Sequence, residues 1–223
     1  MLYAIAYVLV WLFAKIFFRL KVIGVENIPR RGGVIVAANH NSYLDIPLLG
    51  CSLRRRADNI AKAELFEVGA VSWLFRTLGG IPVRRGTIDR EALNEAVARL
   101  RSGHLLALYP EGRRSRDTQL LTAKPGIGLL VARTGVPVIP AYIEGTHRAC
   151  PPGSRWIRPA RVKITFGKPV DLRRFLSEVP AGGREPKAEG KAEGRKQVYQ
   201  DIAEEIMRQI GALRPAEARV SGL

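Results

Sequence analysis

Val34-Ile35-Val36-Ala37-Ala38-Asn39-His40-Asn41-Ser42-Tyr43-Leu44-Asp45 is the stretch around which the chain is organised. Val34, Ile35 and Val36 form a short continuous apolar run, the pattern of a buried strand. His40 follows, and Asp45 comes five positions later. On an ideal helix a five-residue step turns about 140°, so two helical side chains at this spacing diverge. They converge if His40 lies in the loop after the strand and Asp45 in the first turn of the next helix. Ser42 is a natural N-cap for that helix, which would carry Tyr43 to Leu49. A histidine at a strand's end with a carboxylate behind it is the base and orienting part of a catalytic triad. No serine or cysteine nucleophile is required when the substrate brings its own hydroxyl. The structural alternative is that Ser42-x-x-Asp45 is a capping-box variant and His40 a hydrogen-bonded loop residue.

Outward from this stretch, further apolar runs alternate with helical patterns. With 223 residues, 47% of them hydrophobic, the chain suits one α/β domain with a central sheet flanked by helices. Strands are expected at Lys21–Val25, Asn59–Ala63, about Ile81–Val83, His104–Tyr109, Val136–Ile143 and Lys163–Phe166, with His104 facing solvent. Glu64 to Leu78 reads as helical with a break near Gly69. Thr87 to Arg101 is amphipathic, with Leu93, Val97 and Leu100 on one face. A helix rich in small and apolar residues, Ile127 to Arg133, follows Lys124-Pro125-Gly126, with Pro125 near the first-turn position that proline favours.

Two further stretches carry chemistry. Gly79-Gly80-Ile81-Pro82-Val83-Arg84-Arg85-Gly86 joins glycines and a short strand to adjacent arginines, an anion site or a turn followed by solvated charge. The strand ending at Tyr109 delivers Pro110-Glu111-Gly112-Arg113-Arg114-Ser115-Arg116. Three arginines within four residues repel one another unless an anion collects them, and the planar guanidinium fork suits a pair of phosphate oxygens. Glu111 is placed to pair with an arginine or to accept from a substrate hydroxyl. The loop lies at the carboxyl end of a strand, where α/β sheets hold their ligands. Lys124 can meet an anion at the next helix start.

Met1 to Leu20 is the most apolar segment, with Tyr3, Tyr7, Trp11 and Phe13 before Lys15 and a basic flank at Arg19 and Lys21. Its uninterrupted run falls short of the roughly 20 residues of a spanning helix. It also lacks the basic start and the cleavage site of a secretory signal. A short span with Lys15 snorkelling, a helix half-sunk in one leaflet and a core helix remain open; the aromatics and basic flank favour membrane contact. If the segment spans, its positive flank keeps the domain on the cytoplasmic side of the cell membrane. Residues 1–20 are thus expected as a membrane-associated helix and 21–179 as the α/β domain. Residues 180–197 lack apolar periodicity and read as a flexible basic linker. Residues 198–213 read as an amphipathic helix with Ile202, Ile206, Ile210 and Leu213 in one stripe.

The balance of 36 Lys and Arg against 20 Asp and Glu gives a net charge of +16. Such a surface attracts anionic lipid, nucleic acid or phosphorylated small molecules. No helix–turn–helix, zinc-finger or aromatic RNA-binding signature is present, so nucleic acid is not the expected partner. Cys51 and Cys150 lie in no C-x-x-C pair, and no Cys/His cluster has metal-ligand spacing; they read as reduced thiols of a cytosol-facing protein. A hydrolase using His40, Asp45 and a serine is disfavoured because no G-x-S-x-G elbow occurs.

Taken together, the stretches resemble the glycerolipid acyltransferases, whose best-known members acylate 1-acyl-sn-glycerol-3-phosphate. That family carries H-x4-D, here His40 to Asp45 preceded by Asn39. It carries a glycine–isoleucine block ending in arginine, here Gly79 to Arg85. It carries Pro-Glu-Gly-Thr-Arg-Ser, here Pro110 to Ser115, and a Val-Pro-x-x-Pro block, here Val136 to Pro140. The four stand in family order between about residues 20 and 170. Arg113 departs from the usual threonine and Arg84 from a common aspartate, both adding positive charge. The resemblance implies transfer of an acyl group from acyl-CoA or acyl-carrier protein to the free hydroxyl of a lysophospholipid at a membrane surface, giving phosphatidic acid if the acceptor is 1-acyl-sn-glycerol-3-phosphate. His40 is then the base and Asp45 its orienting partner. Arg85 and Arg114, with Lys62 and Lys124, hold the acceptor phosphate, and Glu111 with Gly112 lines the glycerol. It implies no cofactor and no metal.

Overall fold

In the computed structural model, Val34–Ala38 is a strand whose every residue is buried. Its side chains alternate. Val34, Val36 and Ala38 enter one core with Phe18, Leu48 and Leu49, while Ile35 and Ala37 enter a second with Ile127, Leu130 and Ile202. A strand apolar on both faces needs helices on both, and this one has them. The structure describes residues 2–67, 69, 72–73, 76, 79–84, 89–178 and 189–215.

The strands are β1 (Lys21–Ile23), β2 (Val34–Ala38), β3 (Ala57–Lys62), β4 (Gly80–Val83), β5 (Leu105–Leu108), β6 (Val138–Glu144) and β7 (Lys163–Phe166). They form one sheet in the order β1-β7-β6-β2-β5-β3-β4. Strands β2 to β6 are parallel; β7 runs against β6, and β1 runs with β7. The helices are α1 (Leu2–Phe17), α2 (Asp45–Ser52), α3 (Arg90–Arg101), α4 (Gly126–Thr134), the single turns α5 (Thr146–Ala149) and α6 (Arg173–Leu176), and α7 (Glu189–Ala212). This is the expected α/β domain with a central sheet and flanking helices.

The chain leaves β2 towards one face, where α2 packs Leu48, Leu49 and Cys51. It leaves β5 towards the other, where α4 packs Ile127, Leu130 and Val131. Adjacent parallel strands whose connections part to opposite faces open a crevice at their carboxyl ends. The loops after β2 and β5 are therefore the two walls of that crevice.

Several boundaries differ from the sequence reading. Helix α2 begins at Asp45, not Tyr43, and Ser42 is not its cap. The Ser42 hydroxyl is committed elsewhere, donating to the Cys150 carbonyl at 2.7 Å and accepting from the Leu44 amide at 3.2 Å. Helix α3 starts later than Thr87, because the Asp89 carboxylate caps it by accepting from the Ala92 amide. Helix α7 begins at Glu189, inside the stretch expected as linker, so that linker is at most residues 180–188, which lie outside the described residues. Seven of the fifteen residues of the helix expected from Glu64 to Leu78 also lie outside them; Ala63–Phe66 forms a 3-10 turn, and residues 69, 72, 73 and 76 are helical. Helix α1 sets Ala14 in the first core, as Phe18 does just beyond it, and leaves Trp11, Leu12, Phe13 and Ile16 exposed. Among the described residues no helix is long and apolar enough to cross a membrane. Cys51 and Cys150 are buried and unpaired, and burial pushes the Cys51 thiol up to about 11.

Candidate active site

His40 and Asp45 converge as the spacing requires. His40 Nδ1 lies 2.8 Å from Asp45 Oδ2. The same carboxylate oxygen accepts the amides of Asn41 at 2.6 Å and Ser42 at 2.8 Å. Asp45 is fully buried at the first turn of α2. A carboxylate only accepts, so the shared proton belongs to His40 Nδ1, and Nε2 is left with its lone pair free. The imidazole keeps 14% of its surface exposed. The dyad is thus a base with one open nitrogen, backed by a fixed anion.

Three residues fix the ring and its loop. Tyr109, the residue after β5, stacks on His40 with centroids 4.1 Å apart and planes 23° off parallel. Burial, with the Asp45 charge adding, raises the Tyr109 phenol well above its usual range, so it stays neutral beside the dyad. Asn39 is buried and bonds β6 at both ends of its amide, accepting from Ile143 N at 2.7 Å and donating to Ile143 O at 3.0 Å. Ser115 donates its amide to the His40 carbonyl at 2.8 Å. Asn39 was legible as the residue before the histidine. Tyr109 read only as the end of an apolar strand, and the Ser115 contact carries no local sequence signal because it joins loops 75 positions apart.

Glu111 is 2% exposed and turns its Oε1 to the His40 amide at 3.3 Å. It faces the protein, not open solvent. Burial raises its pKa to about 7 against the lowering effect of the His40 and Leu121 amides; Asp45 raises it further and Arg113 opposes. Its Oε2 has no hydrogen-bond partner. Gly112 beside it has φ 66°, and a Cβ there would stand 3.2 Å from the Lys124 stem, so glycine lets the lysine lie across the turn. Lys124 is exposed and donates its amide to the Pro110 carbonyl at 2.9 Å.

Arg114 stacks its guanidinium on Tyr43, 3.5 Å from the ring centroid. Its Nη1 is buried and has no hydrogen-bond partner. A cation positioned by stacking and short of acceptors is ready for an anion. Lys62 stands exposed at the carboxyl end of β3, two strands from β2. Arg85 lies outside the described residues. The structure thus brings His40, Asp45, Glu111, Gly112, Arg114 and Lys124 to one crevice. Among the described residues no cluster of three or more His, Cys, Asp or Glu could hold a metal ion.

An oriented imidazole in the same crevice as a partner-seeking arginine can take a proton from a hydroxyl on a phosphorylated molecule. Comparison with known proteins points the same way. The acyltransferase family model matches residues 19–144. A chloroplastic 1-acyl-sn-glycerol-3-phosphate acyltransferase of Arabidopsis thaliana is 30% identical over 158 residues, 69% of this chain and 44% of that protein. The 1-acyl-sn-glycerol-3-phosphate acyltransferase of Bacillus subtilis is 24% identical over 151 residues, 67% of this chain and 73% of that one. The crystal structure of PlsC, the 1-acyl-sn-glycerophosphate acyltransferase of Thermotoga maritima, superimposes with a TM-score of 0.65 at 29% identity, over 94% of this chain and 81% of that one. The chain spans about half the length of the plant and algal relatives it matches. The matched span of the family model is more than half of this chain and contains both His40 and Asp45, so the dyad sits within the matched domain: the chain belongs to the acyltransferase family.

Proposed function

We propose that this chain transfers a fatty acyl group from an acyl thioester to the free hydroxyl of a lysophospholipid, with 1-acyl-sn-glycerol-3-phosphate the leading acceptor and phosphatidic acid the product. The observation that carries the reading is the His40–Asp45 pair, 2.8 Å apart with Asp45 fully buried. His40 Nε2 takes the proton of the acceptor hydroxyl as its oxygen attacks the thioester carbonyl. Collapse of the tetrahedral intermediate breaks the carbon–sulfur bond, and the departing thiolate receives the proton from His40. Asp45 holds the ring and stabilises the imidazolium between the two transfers. The thioester is already activated, so positioning and proton transfer carry the chemistry.

Arg114 and Lys124 hold the acceptor phosphate, with Arg85 and Lys62 the further candidates. Glu111 acts from behind, fixing the His40 amide, in place of the glycerol contact expected from sequence. The donor is acyl-CoA or acyl-carrier protein, both of which present acidic groups to a chain of net charge +16. Helix α1 lies in one leaflet on the cytoplasmic side of the cell membrane. Its 16 residues make about 24 Å, short of the roughly 30 Å hydrocarbon core, and its outer residues are apolar and aromatic.

The test uses membranes carrying the protein or His40→Ala, supplied with labelled acyl-CoA or acyl-carrier protein and a panel of lysophospholipids. Transfer to lysophosphatidate that disappears in His40→Ala is the expected result. Transfer that persists in the variant removes His40 as base. Transfer only to another lysolipid keeps the chemistry and changes the acceptor.

A further inference from the structure

The loop between α5 and β7 leaves the sheet on the edge where His40 lies. Glu144 at the end of β6 pairs in register with Lys163 at the start of β7, so both ends of the loop stand there. Backbone bonds hold it in one shape. Ser154 donates its amide to the Pro151 carbonyl at 3.0 Å, across a turn that needs Gly153 at φ 90°. Arg158 donates its amide to the Ala149 carbonyl at 2.8 Å and closes the neck. The Ser154 hydroxyl accepts from the Trp156 amide and donates to the Trp156 carbonyl. This pinned loop nevertheless leaves Trp156 78% and Ile157 48% exposed.

The charge around the tip is one-sided. From Gly145 to Val170 the sequence has no Asp or Glu, and it has four arginines and two lysines. Arg148, Arg155, Arg158 and Arg161 are exposed. Among the described residues none of the four guanidinium groups has a hydrogen-bond or ion-pair partner. An indole and an aliphatic side chain held out among unpaired arginines match the boundary of an anionic bilayer, with rings at headgroup depth and cations on lipid phosphates. The far end of the loop is tied to the segment that follows α1. Val162 donates its amide to the Phe18 carbonyl at 2.9 Å, and its carbonyl accepts from Lys21 at 2.9 Å. At its other end the Cys150 carbonyl takes the Ser42 hydroxyl, two residues from His40.

We propose that residues 150–161 form a second membrane anchor, with Trp156 and Ile157 entering the headgroup layer of an anionic bilayer and Arg155 and Arg158 on lipid phosphates. The crevice is then held to the surface from two sides, by α1 and by this loop. The proposal rests on the reading that the chain works at a membrane.

Trp11→Phe with Trp73→Phe leaves Trp156 as the sole indole of three. Vesicles of phosphatidylcholine and phosphatidylglycerol in equal parts, with brominated acyl chains, should quench and blue-shift its emission. Adding Arg155→Ala and Arg158→Ala should weaken vesicle affinity roughly 30-fold at low salt, about one factor of five for each arginine near an anionic surface. A far-UV spectrum matching the parent shows that each variant is folded. Protein that floats with the vesicles while its Trp156 emission is neither quenched nor shifted overturns the loop anchor and leaves the membrane reading standing. Folded protein that does not float at all overturns both.

Discussion

Asp45 binds His40 Nδ1 and two backbone amides through one oxygen, so a single atom sets both the loop and the tautomer. In Asp45→Asn the Oδ2 position is filled either by the amide oxygen, which keeps the three contacts but has no charge to stabilise the imidazolium, or by the NH2, which opposes the two amides and forces the His40 proton onto Nε2. Either way His40 becomes a poor base. Turnover should fall about 10⁴-fold with KM little changed, read by steady-state kinetics on the acceptor that the lysophospholipid panel identifies. Glu111 gives a prediction of different kind. Its folded pKa is about 7 against an ordinary 4.5, so folding disfavours its charged form. The cost is absent below pH 4.5, grows between pH 4.5 and 7, and is complete above pH 7. Glu111→Gln keeps an acceptor for the His40 amide and removes the charge. Its melting temperature should equal the parent's at pH 4.5 and exceed it by several degrees at pH 8, about 3 kcal/mol at most. A difference that does not grow with pH would show that the carboxylate is not destabilised by burial. These two residues were legible in sequence to different degrees. The H-x4-D spacing located the dyad because both partners sit within one loop and one helix turn. The contact of Glu111 with the His40 amide was not legible, since its partner is 71 positions away.

The elements show the same division between local and distant causes. Buried strands were readable because continuous apolar runs between turn residues have few other solutions, and β2, β5 and β6 match the runs that announced them. Helix starts were misplaced where capping is tertiary. Ser42 looks like a cap, but Cys150 claims its hydroxyl, and Asp45 reaches back to the amides instead. Helix α7 illustrates the converse. Its first turns are rich in Gly, Lys and Glu and read as linker, yet Ile202, Ile206 and Ile210 further along are fully buried against the second core. Packing of one end supports a helix longer than its apolar stripe. The seat for that packing is Gly128 in α4, where an added Cβ would stand 2.0 Å from the Tyr199 carbonyl of α7. Gly128→Ala must therefore push α7 away from α4. Helix propensity alone would favour alanine by about 1 kcal/mol, so the sign decides which effect wins. We expect a net loss of several kcal/mol, seen as a melting temperature lowered by about 5 °C or more. A stabilised variant would mean that the two helices do not pack this closely.

At the scale of the whole molecule, the membrane association proposed above has two components, charge and apolar surface, that salt separates. A net charge of +16 attracts any polyanion, and that attraction weakens as salt rises. The outer side of α1 adds a contribution that salt does not screen, with Ile16 72% and Leu12 48% exposed. Neither belongs to the buried cores, whereas Ala14 and Phe18 do. Leu12→Asn with Ile16→Asn should therefore leave the melting temperature within a few degrees of the parent's, because little buried surface is lost. Vesicle affinity should fall roughly a hundredfold, since each side chain loses about 1.5 kcal/mol of lipid burial. The remaining binding should then be stripped by a high-salt wash that the parent survives. Flotation of parent and variant with anionic vesicles, before and after the wash, reads both terms at once. If the parent is also stripped by salt, charge alone holds the protein to the surface and α1 does not enter the leaflet. If the double variant still survives the wash, the apolar contact lies elsewhere, and the Trp156 loop becomes the principal anchor.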